Sequence, residues 1–195
     1  MRISKIIIGV AVVVIGLGIA FRDTIQPHMY AYMHSSIHKS HSANGMGHDI
    51  KNMPGLRGAN ASQAESDELA VMFENFDTIT REVTNLPNGI RTVTRSSDED
   101  VMAALVSHIV GMVDRVERGD NPKIFIQSPT LYILFANGTE MHSQINVADE
   151  GIVVVRTSTD PDVVAALHIH AAEVSDMVDH GMQAVHEAMA QRAGN

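Results

Sequence analysis

The stretch Leu69–Gly119, LAVMFENFDTITREVTNLPNGIRTVTRSSDEDVMAALVSHIVGMVDRVERG, lays over Leu131–Gly181, LYILFANGTEMHSQINVADEGIVVVRTSTDPDVVAALHIHAAEVSDMVDHG, without a gap. The offset is a constant 62, and 17 of the 51 positions are identical. Most of the matches have a structural reason. Gly89/Gly151 come after turn signals, Asp98/Asp160 stand where helices begin, and Val101/Val163 and Leu105/Leu167 are aliphatic. His108/His170 have no such reason, which makes them the first candidates for function.

Each copy carries the same succession of local signals. In the first, Glu68–Asn75 reads as a short helix with Leu69, Met72 and Phe73. Thr78–Asn85 alternates, Pro87-Asn88-Gly89 signals a turn, and Ile90–Thr94 returns, which makes a β-hairpin. Ser96-Ser97-Asp98 caps a long helix with Glu99 and Asp100 in its first turn, ended by Gly119. In the second, Leu131–Ala136 is read as helix by homology, and Glu140–Val147 with Ile152–Thr157 as the hairpin. Thr159 or Asp160 caps the last helix, with Pro161 at its first position, and the pattern runs on to Met189. One such α-β-hairpin-α unit is too small to bury its own apolar faces. Two related by a pseudo-two-fold axis would join their hairpins. The expected fold is therefore α+β: a tandem duplicated unit forming a four-stranded antiparallel sheet packed by two long helices.

Beyond the repeat, the chain has 195 residues, a net charge of −9 and only 14 Lys and Arg, scattered, so nucleic acid is discarded as a partner. It has no cysteine, which excludes disulfides, thiolate metal sites, c-type haem attachment and cysteine nucleophiles. It has no Trp, so a stacking platform is not expected. The 11 His and 12 Met leave His, Met, Asp and Glu as metal donors.

The N-terminus carries Arg2 and Lys5 before an uninterrupted apolar run, Ile6 to Phe21. Residues 1–21 are expected to form a membrane anchor or signal segment, the uncleaved anchor being the preferred choice although Gly18 and Ala20 offer a cleavage site. The basic end stays inside, so the chain beyond Phe21 lies in the periplasm, held at the inner membrane by residues 6–21. Residues 22–66 are expected to be a His/Met-rich flexible tether, 67–122 the first repeat and 123–190 the second, with 66–190 one domain.

Two groups of residues carry metal chemistry. On the first long helix Val101, Leu105, His108 and Met112 form one stripe, and on the second Val163, Leu167, His170 and Val174 do the same. A pseudo-two-fold axis would bring the two histidines together, and burial keeps imidazole neutral, which is its ligand form. His108, His170, Met112 and Glu173 are the expected metal ligands, a soft set suited to copper. Alternatively the two histidines bind a b-type haem, or each is structural and bonds to backbone or to a sheet threonine. The second group lies in the tether: Met33, His34, His38, His41, Met46 and His48, with His34, His38 and His41 on one face if helical. The competing view is a polar spacer of biased composition. His142, His168, His180 and His186 are expected to be structural or solvated. No Ser-His-Asp order, phosphate loop or His-Glu-x-x-His motif is present, so no enzyme is expected.

Arg95–Leu105 (RSSDEDVMAAL) and Thr157–Ala171 (TSTDPDVVAALHIHA) resemble exported bacterial proteins of unassigned function that carry a duplicated Thr-Ser-x-Asp-Pro helix start followed by a His-Ala pair. In the first copy Glu99 replaces the Pro and His108-Ile109 replaces His-Ala. The resemblance spans roughly residues 68–182 and implies an extracytoplasmic domain without an assigned activity. Together these features point to a membrane-anchored periplasmic copper-handling protein. The alternatives are a non-catalytic interaction module that docks to a membrane complex, or a b-type haem protein.

Overall fold

A computed structural model describes residues 53–193. After a 3₁₀ turn at Pro54–Leu56 comes α1 (Gln63–Glu74), whose start is fixed by a capping box. Ser62 Oγ accepts from the Glu65 N–H, and Glu65 Oε2 accepts from the Ser62 N–H at 2.7 Å. A 3₁₀ turn over Phe76–Thr78 leads into β1 (Ile79–Leu86), which returns as β2 (Gly89–Ser96). Next comes α2 (Glu99–Glu117), whose cap Asp98 accepts from the N–H groups of Asp100 and Val101. After the linker, α3 (Thr130–Ala136) and a 3₁₀ turn at Gly138–Glu140 lead to β3 (Met141–Ala148) and β4 (Gly151–Ser158). The chain closes with α4 (Pro161–His180), capped by Asp160, and α5 (Met182–Ala193).

The architecture is α+β, with five α-helices among the described residues and an antiparallel sheet in the order β1-β2-β4-β3. The bounds of β1 and β3, and of β2 and β4, differ by 62. The central pairing keeps that offset. Thr92 faces Val154, its own counterpart 62 residues on, while Ile90 faces Arg156 and Thr94 faces Ile152. Adding 62 to one of these last two pairs and subtracting it from its partner interchanges them, as a local two-fold between β2 and β4 requires.

The long helices cross over. α4 lies against β1, β2 and the 3₁₀ turn at Phe76, while α2 lies against β2, β3 and the turn at Gly138. Both helix ends are fitted to this exchange. A Cβ on Gly138 would collide with the Val116 carbonyl oxygen, so only glycine lets the end of α2 approach. Sixty-two residues earlier stands Phe76, whose ring packs on Gly181 at the end of α4. The core behind these contacts includes Ile90, Val116, Leu134, Phe135, Val163 and Leu167, with Ile79, Val101 and Leu105 forming a second cluster.

One expected boundary is corrected. The long helix does not continue to Met189: it stops at His180, because Gly181 adopts φ +58 with Phe76 against it, and α5 starts afresh. Residues before 66 also pack on the domain: Leu56 is 1 % exposed, and Gly58 pairs with Ile124 in the segment between α2 and α3. A single Leu among Gly, Asn and Pro has no periodicity to reveal it, and its burial depends on chain more than sixty residues away. The apolar run 6–21 and the tether ligands Met33, His34, His38, His41, Met46 and His48 lie outside the described residues.

Candidate functional site

The helix-facing side of the sheet takes every second residue of each strand. From β2 and β4 these are Ile90, Thr92 and Thr94, and Ile152, Val154, Arg156 and Ser158, all buried. In the same phase β1 carries Arg81 between Ile79 and Val83. The interior thus includes two guanidiniums, and burial pushes both down to about 10. Arg81 donates through Nη1 to Thr94 Oγ1 at 2.8 Å. Glu117, at the end of α2, offsets part of the shift at Arg156.

His108 on α2 and His170 on α4 occupy corresponding mid-helix positions, with side chains 22 % and 26 % exposed. They lie near enough for a charge on His170 to lower the pKa of His108. Burial is the main cause for both rings and takes His108 down to about 4. At His170 burial is opposed by Glu173 and reinforced by Arg81 and Arg156. Both imidazoles are therefore neutral at pH 7.

Each ring turns the same atom to a carboxylate. His108 Nδ1 is 3.9 Å from Glu68 Oε2, and His170 Nδ1 is 3.8 Å from Glu173 Oε2. The carboxylates are anchored from behind by hydroxyls. Ser107 Oγ donates to Glu68 Oε1 at 2.5 Å, and Ser128 Oγ donates to Glu173 Oε1 at 2.6 Å, with Thr130 Oγ1 at 3.3 Å. Glu68 comes from α1 and Glu173 from α4 itself, so the two hydroxyl–carboxylate–imidazole chains are built from non-corresponding positions. Thr130 stands 62 residues after Glu68 and serves the other acid. Glu68 is buried to 4 % exposure, which pushes its carboxyl up to about 7. Burial also acts on Glu173, but the contacts from His170, Ser128 and Thr130 outweigh it and hold its pKa down.

Neither Nε2 accepts or donates a hydrogen bond among the described residues, whereas both Nδ1 atoms are buried without a bond short enough to count. The two Nε2 atoms are the donors available to a ligand. Of the expected set of four, Glu173 sits on the Nδ1 side of His170, at 3.8 Å. Met112 lies half-buried one turn after His108. No group of three or more His, Asp or Glu side chains able to hold a metal ion is found among the described residues.

The other histidines divide by position. His168 Nε2 lies 2.8 Å from the Gly89 carbonyl oxygen and 3.1 Å from that of Leu86, tying α4 to the first hairpin turn. His142 is exposed on β3, and His180 pairs with Asp176 at 2.8 Å on the surface. The residues that sequence reasoning passed over are Arg81, Arg156 and Glu68. A signal for the arginines was present: each falls in phase with the aliphatics of its strand. Glu68 had none, since its partner Ser107 is 39 positions away. No protein-family model, curated protein or solved structure matches this chain.

Proposed function

We propose that the chain is a membrane-anchored periplasmic protein that binds and hands on copper, without catalysing a reaction. One observation carries this reading: both histidines direct Nδ1 at a carboxylate and leave Nε2 unbonded. A carboxylate beyond Nδ1 is a usual setting for a metal-ligating histidine, and at His170 it is supplied by Glu173, which opposes the lowering of the ring's pKa by burial. Two imidazole nitrogens suit Cu(I), which accepts two ligands in line. A monovalent ion also suffers least from the positive charges of Arg81 and Arg156. Met112 is the remaining soft donor on α2, and the His and Met of residues 33–48 supply a capture segment of the same ligand type.

The test is Cu(I) titration of the detergent-solubilised full chain against a competing chelator. His108→Ala and His170→Ala should each remove one equivalent, and the double variant should remove no more than either alone, because half a site binds poorly. Unchanged stoichiometry in both single variants would reject the domain site. The visible spectrum of the protein purified from membranes distinguishes haem, which would show a Soret band.

A docking role is the second reading, favoured by the exposed apolar side chains Phe125 at 72 %, Tyr132 at 54 % and Ile133 at 45 % around α3. It would lead if the histidine variants lost stability additively and copper binding not at all.

A further inference from the structure

The offset of 62 relates two cross-strand pairs on the helix-facing side of the sheet. Arg81 faces Thr94 between β1 and β2, and Ser143 faces Arg156 between β3 and β4. Arginine and hydroxyl have changed places between the halves. In the first pair the hydroxyl takes a guanidinium N–H. In the second both side chains are left open: Arg156 Nε, Arg156 Nη2 and Ser143 Oγ are all buried without a hydrogen-bond partner. Arg156 is 8 % exposed. Nε and Nη2 form one edge of the guanidinium, with parallel N–H groups spaced to meet the two oxygens of a carboxylate. Leaving such donors unmade in the interior costs more than making them gains.

We propose that Arg156 and Ser143 form a binding site for the carboxylate of a small organic acid, gripped by Nε–H and Nη2–H with Ser143 Oγ–H donating to one of its oxygens. A monoanion fits better than a dianion. Glu117 already faces Arg156 with negative charge, and the neighbours Ile90 and Met141 are apolar and buried, so a second charge would go unsolvated. The molecule also supplies a place for the rest of the acid. A cleft of about 400 Å³ opens where β4 ends, lined by Pro87, Asn88, Ser158, Thr159, Pro161 and Val164. Ser158 shares the sheet face of Arg156 two residues away, which is about 7 Å along a strand. That span suits an aliphatic chain of roughly four to six carbons, its head at Arg156 and its tail against Pro87, Pro161 and Val164. None of these residues is a proposed copper ligand, although Arg156 lies close enough to lower the His170 pKa, so carboxylate binding is measured on the metal-free chain.

The experiment measures thermal stabilisation and calorimetric binding of acetate, butyrate, hexanoate, phosphate and sulfate by the full chain in detergent, at fixed ionic strength. Butyrate and hexanoate should raise Tm saturably, above acetate and above the inorganic anions. Arg156→Lys, which keeps the charge but removes the paired edge, should weaken butyrate about ten- to hundredfold, as expected for losing one charge-assisted bond. Ser143→Ala should weaken it in the same direction and Arg81→Lys should not. Val164→Trp, which fills the cleft and leaves the sheet intact, should abolish hexanoate binding and keeps the test decisive if Arg156→Lys does not fold. No saturable effect of any carboxylate, tighter binding of phosphate or sulfate, or undiminished binding in Ser143→Ala and Val164→Trp would overturn the proposal.

Discussion

Glu68 and His108 exchange the ordinary order of their acidities. Burial lifts the carboxyl from 4.5 to about 7 and lowers the imidazole from 6.5 to about 4. Between those ordinary values the unfolded chain carries one proton on His108, and the folded chain carries one on Glu68. The proton count is equal, so the pair contributes no pH slope to stability from about 4.5 to 6.5. Single substitutions should uncover the two opposed slopes. In Glu68→Gln only the depressed His108 remains, so its contribution is complete above about 6.5 and is lost as the pH falls towards 4, by up to roughly 3 kcal/mol. In His108→Gln only the raised Glu68 remains, so stability is complete below about 4.5 and is lost as the pH rises through 7. Urea melts across this range measure both, and parallel profiles for the wild type and Glu68→Gln would refute the proton exchange. The same chemistry explains how these residues escaped detection in the sequence. A Glu on a short helix and a Ser on a long one are unremarkable until packing removes water from between them.

At the scale of elements, the corresponding caps show how local rules were carried through. Asp98 and Asp160 each accept two N–H groups at their helix starts, and Ser96 Oγ and Ser158 Oγ each accept from the following Asp N–H at 3.1 Å. Those matches are chemical necessities of starting a helix directly after a strand. The helix ends are different. Gly119 ends α2 in a left-handed conformation, as the sequence suggested, while Gly181 is hemmed in by the Phe76 ring. Gly181→Ala should cost about 1–3 kcal/mol, because alanine is strained at that φ and its methyl meets Phe76 at 2.8 Å. Gly181→Ala combined with Phe76→Leu should recover the steric part and not the backbone part. Thermal or urea unfolding of the two variants separates them. Equal stability of Gly181→Ala and the wild type would mean that α4 and α5 can join as one helix.

For the whole molecule, residues 53–193 belong to a single compact unit that takes in both halves. Each long helix packs on strands of both halves, and the larger core cluster draws Ile90 and Val116 together with Leu134, Phe135, Val163 and Leu167. The copper reading divides the chain into a domain with two imidazole donors and a capture segment at residues 33–48. Deleting residues 29–50 should lower bound copper and shift domain stability by less than about 1 kcal/mol, since it stops short of the buried Leu56. Metal analysis beside a urea melt reads both. Unchanged copper would make the segment a spacer, and a large loss of stability would place it in the fold.

The elements and their order were legible in the chain before any packing was known. Period-two alternation marked the strands, a 3.6-residue stripe marked α2 and α4, and Asp98, Asp160, Pro161 and Gly119 marked both starts and the end of α2, because each signal lies within a few residues of the backbone it governs, whereas the end of α4 at Gly181 was not marked. The 62-residue offset also made the two hairpins legible as equivalents. It took the folded molecule to establish that Val93 and Val153 pair across the sheet centre, that each long helix also packs on the other half, and that a serine-held carboxylate stands near each histidine. Those contacts join residues dozens of positions apart. Their strength comes from the water that packing removes, and no local pattern records which side chains will share the dry interior.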